Sequence, residues 1–122
     1  MPIFAKIVNM KQVEQIKIDE LREMAERMYG DMVKAVVDIE QGLLVVDGEM
    51  HVDQEQYLLE AGSQQENLWG INLYPDQYGT EDFVEFDSMI NLRPSQENLS
   101  RSVEDAAIRK QITALVDNKV SS

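Results

Sequence analysis

The stretch Leu68–Arg101, LWGINLYPDQYGTEDFVEFDSMINLRPSQENLSR, decides the fold that the sequence predicts. It holds the only Trp and two of the three Pro of the chain. Trp69–Tyr74 alternates apolar and polar side chains, which predicts a strand that Pro75 ends. Phe83–Leu92 is the next β-prone run, and we predict that it forms the longest strand of the protein. The two strands together predict a β-hairpin.

The rest of the chain predicts a second hairpin and two or three helices. Met32–Glu40 and Leu43–Asp47 are rich in Val, Ile and Leu, and a Gln-Gly turn separates them, as in a hairpin. Asp19–Tyr29 carries apolar side chains at helical spacing, and so does the segment from Ser102 to about Asn118. Ile3–Val8 predicts an N-terminal strand. A short helix is expected after the second hairpin.

These elements predict an α+β fold with a mainly antiparallel sheet. The sheet would consist of two hairpins plus an N-terminal strand, covered by two or three helices. The two longer helices would lie on one side of it. A chain of 122 residues fits a single domain that spans residues 1–122.

The charge of the chain limits its partners. The formal net charge is −12, from 23 acidic and 11 basic residues, whereas nucleic acids and anionic membranes attract basic surfaces. We therefore predict no nucleic-acid and no membrane partner. The partners that remain are a second copy of the chain in a homo-oligomer, another protein, or a small polar or anionic ligand.

The sequence predicts no cofactor and a cytoplasmic location. There is no Cys, which excludes disulfides and thiol chemistry within this chain. Walker and Gly-x-Gly-x-x-Gly phosphate-binding patterns are absent as well. The N-terminus lacks the pattern of a signal peptide, and no apolar run reaches the length of a membrane span.

The polar side chains of the predicted long strand form the first candidate site. Asp87, Asn91 and Arg93 would project from one face, because alternate strand residues share a face. Asn72 on the partner strand could face them, and Arg101 follows in the connection. Such a pocket could hold a carboxylate or a phosphate on the planar Arg fork. The favoured alternative is a structural network in which Asp87 pairs with Arg93 or Arg101.

The only His of the chain belongs to a second candidate site. On an extended segment, Glu49, His51 and Asp53 would share a face and could bind a divalent metal ion. An exposed edge or turn is the favoured alternative, because spacing of oxygen ligands is unspecific. Ser88, His51 and Asp87 have the residue types of nucleophilic catalysis. No Gly-x-Ser-x-Gly elbow surrounds Ser88, so a small residue in a tight position is the favoured interpretation there.

Three motifs carry a resemblance to a known family. They are GDMVKAVVDIE at Gly30–Glu40, GSQQENLWGINLYP at Gly62–Pro75 and EFDSMINLRPSQENLSR at Glu85–Arg101. In these motifs the sequence resembles a family of small bacterial domains of unknown function, and the resemblance covers most of the chain. It implies a compact bacterial domain. It supplies no activity, so no catalytic residue follows from it.

Two functions are compatible with the sequence. The first is a small acidic, non-enzymatic domain that binds a ligand or a protein partner. The alternative is an acid/base or metal-assisted enzyme that uses the polar face of the predicted strand at residues 83–93. Without a catalytic motif, the sequence does not decide whether the protein is an enzyme.

Overall fold

The computed structural model of the protein describes residues 10–122. Within that range, the chain forms three α-helices, a five-stranded sheet and a separate pair of short strands. The predicted α+β fold with a mainly antiparallel sheet is confirmed. The predicted N-terminal strand Ile3–Val8 lies outside the described residues.

The helices and strands have the following bounds. The α-helices are α1 (Ile18–Met28), α2 (His51–Glu60) and α3 (Ala106–Lys119). The strands are β1 (Lys11–Gln12), β2 (Ile16–Lys17), β3 (Val33–Asp38), β4 (Leu43–Val46), β5 (Leu68–Leu73), β6 (Val84–Glu85) and β7 (Val120–Ser121). None of the helices in residues 10–122 has the length and apolar character needed to cross a membrane.

The sheet has the order β1-β4-β3-β5-β6, and all of its neighbouring strands are antiparallel. β3 and β4 form the predicted hairpin, with Ala35 opposite Val46. Gly42 in its turn has a φ of 70°, which glycine adopts without the steric cost of a Cβ. β5 pairs with β3 over six residues, from Leu68 opposite Asp38 to Leu73 opposite Val33. β2 and β7 form a separate parallel pair.

Residues 10–122 form two hydrophobic cores, and the larger one lies between the sheet and the helices α1 and α3. Alternate residues of β3, β4 and β5 point into it, and Trp69 is its largest fully buried side chain. Leu21 and Met24 of α1 and Ile112 and Val116 of α3 join the same core. The prediction that these two helices cover one side of the sheet is therefore confirmed.

The opposite face of the sheet is covered by α2. Val36 of β3, Val45 of β4 and Leu68 of β5 point to that face, and Leu58 of α2 packs against them. Each of these four side chains is fully buried. The sheet is thus covered on both faces, and the N-terminus of α2 is held against it through His51.

The prediction of a long strand at Phe83–Leu92 is wrong. β6 covers only Val84–Glu85, and the chain then enters a 3-10 helix at Met89–Asn91. A side chain replaces the missing strand: the amide oxygen of Asn91 accepts a hydrogen bond from Gly70 N at 2.8 Å, and its Nδ2 donates to Gly70 O at 2.9 Å. The edge of β5 is therefore paired without a backbone ladder there.

Because the long strand does not form, Asp87, Asn91 and Arg93 do not share a strand face.

Ser88 packs closely against Gly70. A Cβ at position 70 would lie 2.5 Å from the Oγ of Ser88. Such a distance is far inside van der Waals contact, so glycine is needed for Ser88 to approach. The interpretation of Ser88 as a small residue in a tight position agrees with this packing.

The last helix begins at Ala106, and its N-cap lies three residues after Ser102, the N-cap that the sequence predicts. Asp105 is its N-cap, because its carboxylate accepts a hydrogen bond from Ala107 N at 2.8 Å. The preceding loop is held by Asn98, whose Nδ2 donates to the carbonyls of Asn91 and Ser102, each at 2.7 Å. These bonds keep Ser102 outside the helix.

Candidate functional site

A cavity of about 340 Å³ lies where β3, the start of α2 and the segment after β6 meet. We call it the His51 cavity. Its apolar lining consists of Tyr29, Met50, Val52, Met89 and Ile90. Its polar lining consists of Lys34, Glu49, His51, Ser88 and Arg101. Residues from both candidate sites of the sequence, Glu49 with His51 and Arg101, thus line one cavity.

The apolar lining is unusually exposed. The side chains of Met89, Met50 and Val52 are 63%, 52% and 49% exposed. Apolar side chains grouped around a hollow, as opposed to scattered singly, are typical of a binding site. Their arrangement supports a ligand or a partner that covers them.

His51 is a buried titratable group in the lining of this cavity. It is 7% exposed, and its Nε2 lies 2.7 Å from Ile71 O. Burial lowers the pKa of His51 to about 4, and the positive charges of Lys34 and Arg101 act in the same direction. The ring is therefore neutral at pH 7. Because a carbonyl only accepts hydrogen bonds, the neutral ring carries its hydrogen on Nε2 and a lone pair on Nδ1.

His51 should make folding sensitive to acid. Between pH 6.5 and pH 4 an unfolded chain protonates His51 while the folded chain does not, so stability falls as the pH drops through this window. We expect the wild type to lose about 3 kcal/mol more than His51→Gln between pH 7 and pH 4. Urea unfolding at a series of pH values measures the difference. An NMR titration of the single His that gave a pKa near 6.5 would contradict the prediction.

Arg101 is fixed in the cavity wall by its backbone and by one edge of its side chain. Its carbonyl accepts hydrogen bonds from Ser88 N and from Asn91 Nδ2, each at 3.0 Å. Its Nε lies 2.7 Å from Asp87 Oδ1, so the predicted alternative pairing of Asp87 with Arg101 is the one that forms. Within residues 10–122, its two Nη atoms form no hydrogen bond. Asn72 lies nearby, donating to Glu85 Oε1 at 2.8 Å and to Asp87 O at 3.2 Å.

Lys34 supplies the second positive charge. It lies on β3 opposite Asn72, and its Nζ is 5.3 Å from the centre of the Tyr29 ring. In the described part of the chain, no carboxylate oxygen lies within 4.0 Å of that Nζ. Tyr29 is itself held by a hydrogen bond from its hydroxyl to Glu49 O. Lys34 is therefore positioned by an aromatic ring, and its ammonium forms no ion pair with residues 10–122.

Arg93, a predicted site residue, lies elsewhere. Its guanidinium stacks on Trp69 at 4.1 Å from the ring centre and donates to the carbonyls of Gln65 and Leu68. It is 7% exposed. Burial lowers the pKa of Arg93, and the charge of nearby Glu55 opposes that shift. Arg93 and Asn91 therefore have structural contacts and do not line the cavity.

The structure does not bring the three predicted metal ligands together. Residues 51–60 are helical, so the extended segment on which the prediction depends does not exist. Glu49 and His51 line the cavity, but Asp53 does not. Among the described residues, no group of three or more His, Cys, Asp or Glu side chains is arranged to hold a metal ion.

The residues of the predicted nucleophilic set are neighbours without forming a triad. Ser88 Oγ accepts a hydrogen bond from Ile90 N at 3.2 Å, and His51 is bonded to Ile71 O. No hydrogen bond joins Ser88 to His51 in residues 10–122. Asp87 is occupied by Arg101. Activation of a serine needs a base within hydrogen-bond reach, and this arrangement does not supply one.

Most of the chain matches the model of a protein family. The model of a family described as "Protein of unknown function (DUF5674)" matches residues 7–119. The chain belongs to this family. The resemblance to a family of unknown function is thereby confirmed. No curated protein and no solved structure matches the DUF5674 chain.

Sequence reasoning on this DUF5674 protein missed Lys34, Tyr29 and the apolar lining. The sequence does contain a signal for Lys34, because it is the one charged residue in the run MVKAVV at residues 32–37. A strand buried on both faces would not carry a charge there. No sequence signal points to Met89 as a lining residue, because the sequence predicts a strand at this position that does not form. Its exposure depends on the path of the chain after β6.

A second hollow, of about 360 Å³, is a weaker candidate in the DUF5674 chain. Its lining includes Tyr74, Glu81, Asp82 and Glu85, and no Lys, Arg or His belongs to it within residues 10–122. Burial and a hydrogen bond to Glu85 raise the pKa of Tyr74 to about 12. The charged groups described in this lining are all acidic, so we favour the His51 cavity, which also has cations in its lining.

Proposed function

We propose that this DUF5674 chain is a small acidic, non-enzymatic domain that binds a small polar or anionic molecule in the His51 cavity. The observation that carries the proposal is the ring of exposed Met50, Val52 and Met89 around a buried, neutral His51. Covering apolar surface releases about 25 cal/mol per Å², so a ligand that fills the cavity gains affinity from this ring. The polar groups then select among ligands.

The alternative, an enzyme that uses the polar face of residues 83–93, has little geometric support. The strand that would create this face ends at Glu85. Asn91 is occupied by Gly70 and Arg101, and Arg93 by carbonyl groups and Trp69. Binding without turnover is therefore the simpler function for the cavity.

The proposal includes a cytoplasmic location, a bacterial source and one domain over residues 1–122. It excludes nucleic acid as a partner because of the net charge of −12. The same charge disfavours a homo-oligomer by self-repulsion. For this reason we favour a small molecule over a second copy of the chain as the occupant of the cavity.

Methyl NMR of the Met residues tests the proposal. A set of fragments of both charges and of neutral compounds is added at millimolar concentration. Compounds that bind should shift the methyl signals of Met50 and Met89, while Met24, which is buried in the core on α1, should not move. The proposal fails if no fragment shifts either cavity methionine.

A matched pair of variants localises the binding. Met89→Asp places a negatively charged side chain at the cavity, whereas Leu99→Asp makes the same change at a side chain that is 68% exposed and outside the lining. Because Asp removes apolar contact and repels an anion, we expect Met89→Asp to weaken the binding of neutral and anionic fragments about tenfold or more and Leu99→Asp to leave it unchanged. Equal behaviour of the two variants would show that binding occurs elsewhere.

A further inference from the structure

The charges around the His51 cavity indicate its ligand. We propose that the ligand is a singly charged carboxylate with an apolar body, and that its carboxylate binds to Lys34 and Arg101. This inference rests on the function proposed above and names the ligand class.

Lys34 provides the first contact. Its ammonium is a donor of up to three hydrogen bonds, and the described part of the chain places no carboxylate within 4.0 Å of it. The Tyr29 ring 5.3 Å away fixes the ammonium by a cation–π contact and satisfies no hydrogen bond. An anion in the cavity would find this charge uncompensated.

Arg101 provides the second contact. Asp87 takes the Nε edge of the guanidinium, and the two Nη atoms form no hydrogen bond within residues 10–122. The planar Arg fork suits a carboxylate, which accepts two parallel hydrogen bonds. Because Ser88 N and Asn91 Nδ2 hold the Arg101 backbone, the fork is presented at the cavity with little freedom in the main chain.

The acidic groups nearby select a ligand with a single negative charge. Glu49 lies in the lining, and Asp87 is paired to Arg101. Asp87 compensates the charge of Arg101, and Lys34 has no carboxylate within 4.0 Å in residues 10–122, so one uncompensated positive charge is left to match one negative charge on the ligand. A phosphate ester with two charges would meet more repulsion from Glu49 and Asp87 than a carboxylate would. The neutral His51 adds no charge of its own.

The apolar lining sets the size of the ligand. The cavity volume is about 340 Å³, and a non-hydrogen atom with its hydrogens occupies roughly 30 Å³ when water is the reference. The cavity therefore holds about ten non-hydrogen atoms. Met50, Val52 and Met89 would contact the chain or ring of such a carboxylate. Octanoate has the right size and charge to serve as the probe.

The experiment compares octanoate with octan-1-ol, octylamine and octyl phosphate, using the methyl signals of Met50 and Met89. We expect octanoate to bind at least about tenfold more tightly than octan-1-ol, and octylamine to bind most weakly. Lys34→Met and Arg101→Met should each weaken octanoate binding about tenfold and leave octan-1-ol binding unchanged. Arg22→Met, which removes an exposed cation outside the lining, is the control and should change neither.

The outcomes separate this inference from the proposed function. Equal affinity for octanoate and octan-1-ol would overturn the carboxylate assignment and leave the binding cavity in place. If octylamine bound more tightly than octanoate, the proposed sign of the ligand charge would be wrong. If octyl phosphate bound more tightly than octanoate, the proposed single charge would be wrong. No shift of Met50 or Met89 with any probe would remove both proposals. Arg101 is exposed, so Arg101→Met keeps the test valid even if Lys34→Met does not fold.

Discussion

Replacing Arg93 with Met is expected to lower the free energy of unfolding by about 4 kcal/mol. The side chain is 7% exposed, and its guanidinium donates to the carbonyls of Leu68 and Gln65 and stacks on Trp69. Methionine keeps much of the apolar stem but removes the charge and all of these donors. Buried carbonyls without a donor account for most of the expected loss.

Urea unfolding at pH 7 measures this change, with two control variants. Arg93→Lys keeps the charge but cannot reach two carbonyls with a planar fork, so we expect an intermediate loss. Arg22→Met removes a surface arginine that pairs with Asp19 and Asp76, and surface ion pairs contribute about 0–1 kcal/mol. If Arg93→Met were as mild as Arg22→Met, Arg93 would not be structural and its role as a site residue would be open again.

The elements that the sequence predicted well are those with a clear local pattern. The hairpin of β3 and β4 has two apolar runs around a Gln-Gly turn, and turns of this kind are set by nearby residues. α1 has an apolar stripe, with Leu21, Met24 and Ala25 buried. β5 alternates between two faces, and each of those faces meets a core. In each case local periodicity and tertiary burial agree.

The segment after β6 was predicted wrongly because its structure depends on distant partners. Residues 83–92 are apolar at alternate positions, which is typical of a strand. The amide of Asn91 nevertheless bonds to the backbone of Gly70, 21 residues away. Arg93 bonds to carbonyls at least as distant. Such side-chain to backbone bonds compete with a strand ladder, and no local pattern reveals them.

The sequence predicts two separate candidate sites, and the fold brings residues of both into the lining of one cavity. Glu49 and His51 precede β5, and Arg101 follows it by many residues, yet all three line one cavity. The pairing of Asp87 with Arg101 was among the predicted alternatives, because opposite charges close in sequence invite it. The participation of Lys34 required the β3–β5 register, in which it lies opposite Asn72.

Replacing Asn91 with Ala is expected to lower the free energy of unfolding by about 3 kcal/mol. The Asn91 side chain is fully buried and makes three hydrogen bonds, two with the backbone of Gly70 and one with Arg101 O. Alanine leaves the Gly70 N–H and carbonyl without these partners at the edge of β5. Because Arg101 O loses one of its two donors, the variant should also weaken binding in the His51 cavity.

Two further variants make the Asn91 prediction specific. Asn91→Asp keeps the shape but cannot donate to Gly70 O or Arg101 O, so we expect it to destabilise the protein at least as much as Asn91→Ala. Asn118→Ala, at an exposed position on α3, should change stability by about 0.5 kcal/mol or less. Urea unfolding of the three variants measures the free energies, and hydrogen exchange of the Gly70 amide, whose N–H donates to Asn91 Oδ1, reports on the edge of β5. A stable Asn91→Ala protein with unchanged exchange would mean that the chain after β6 is held by its own turns, and that Asn91 does not replace the missing strand.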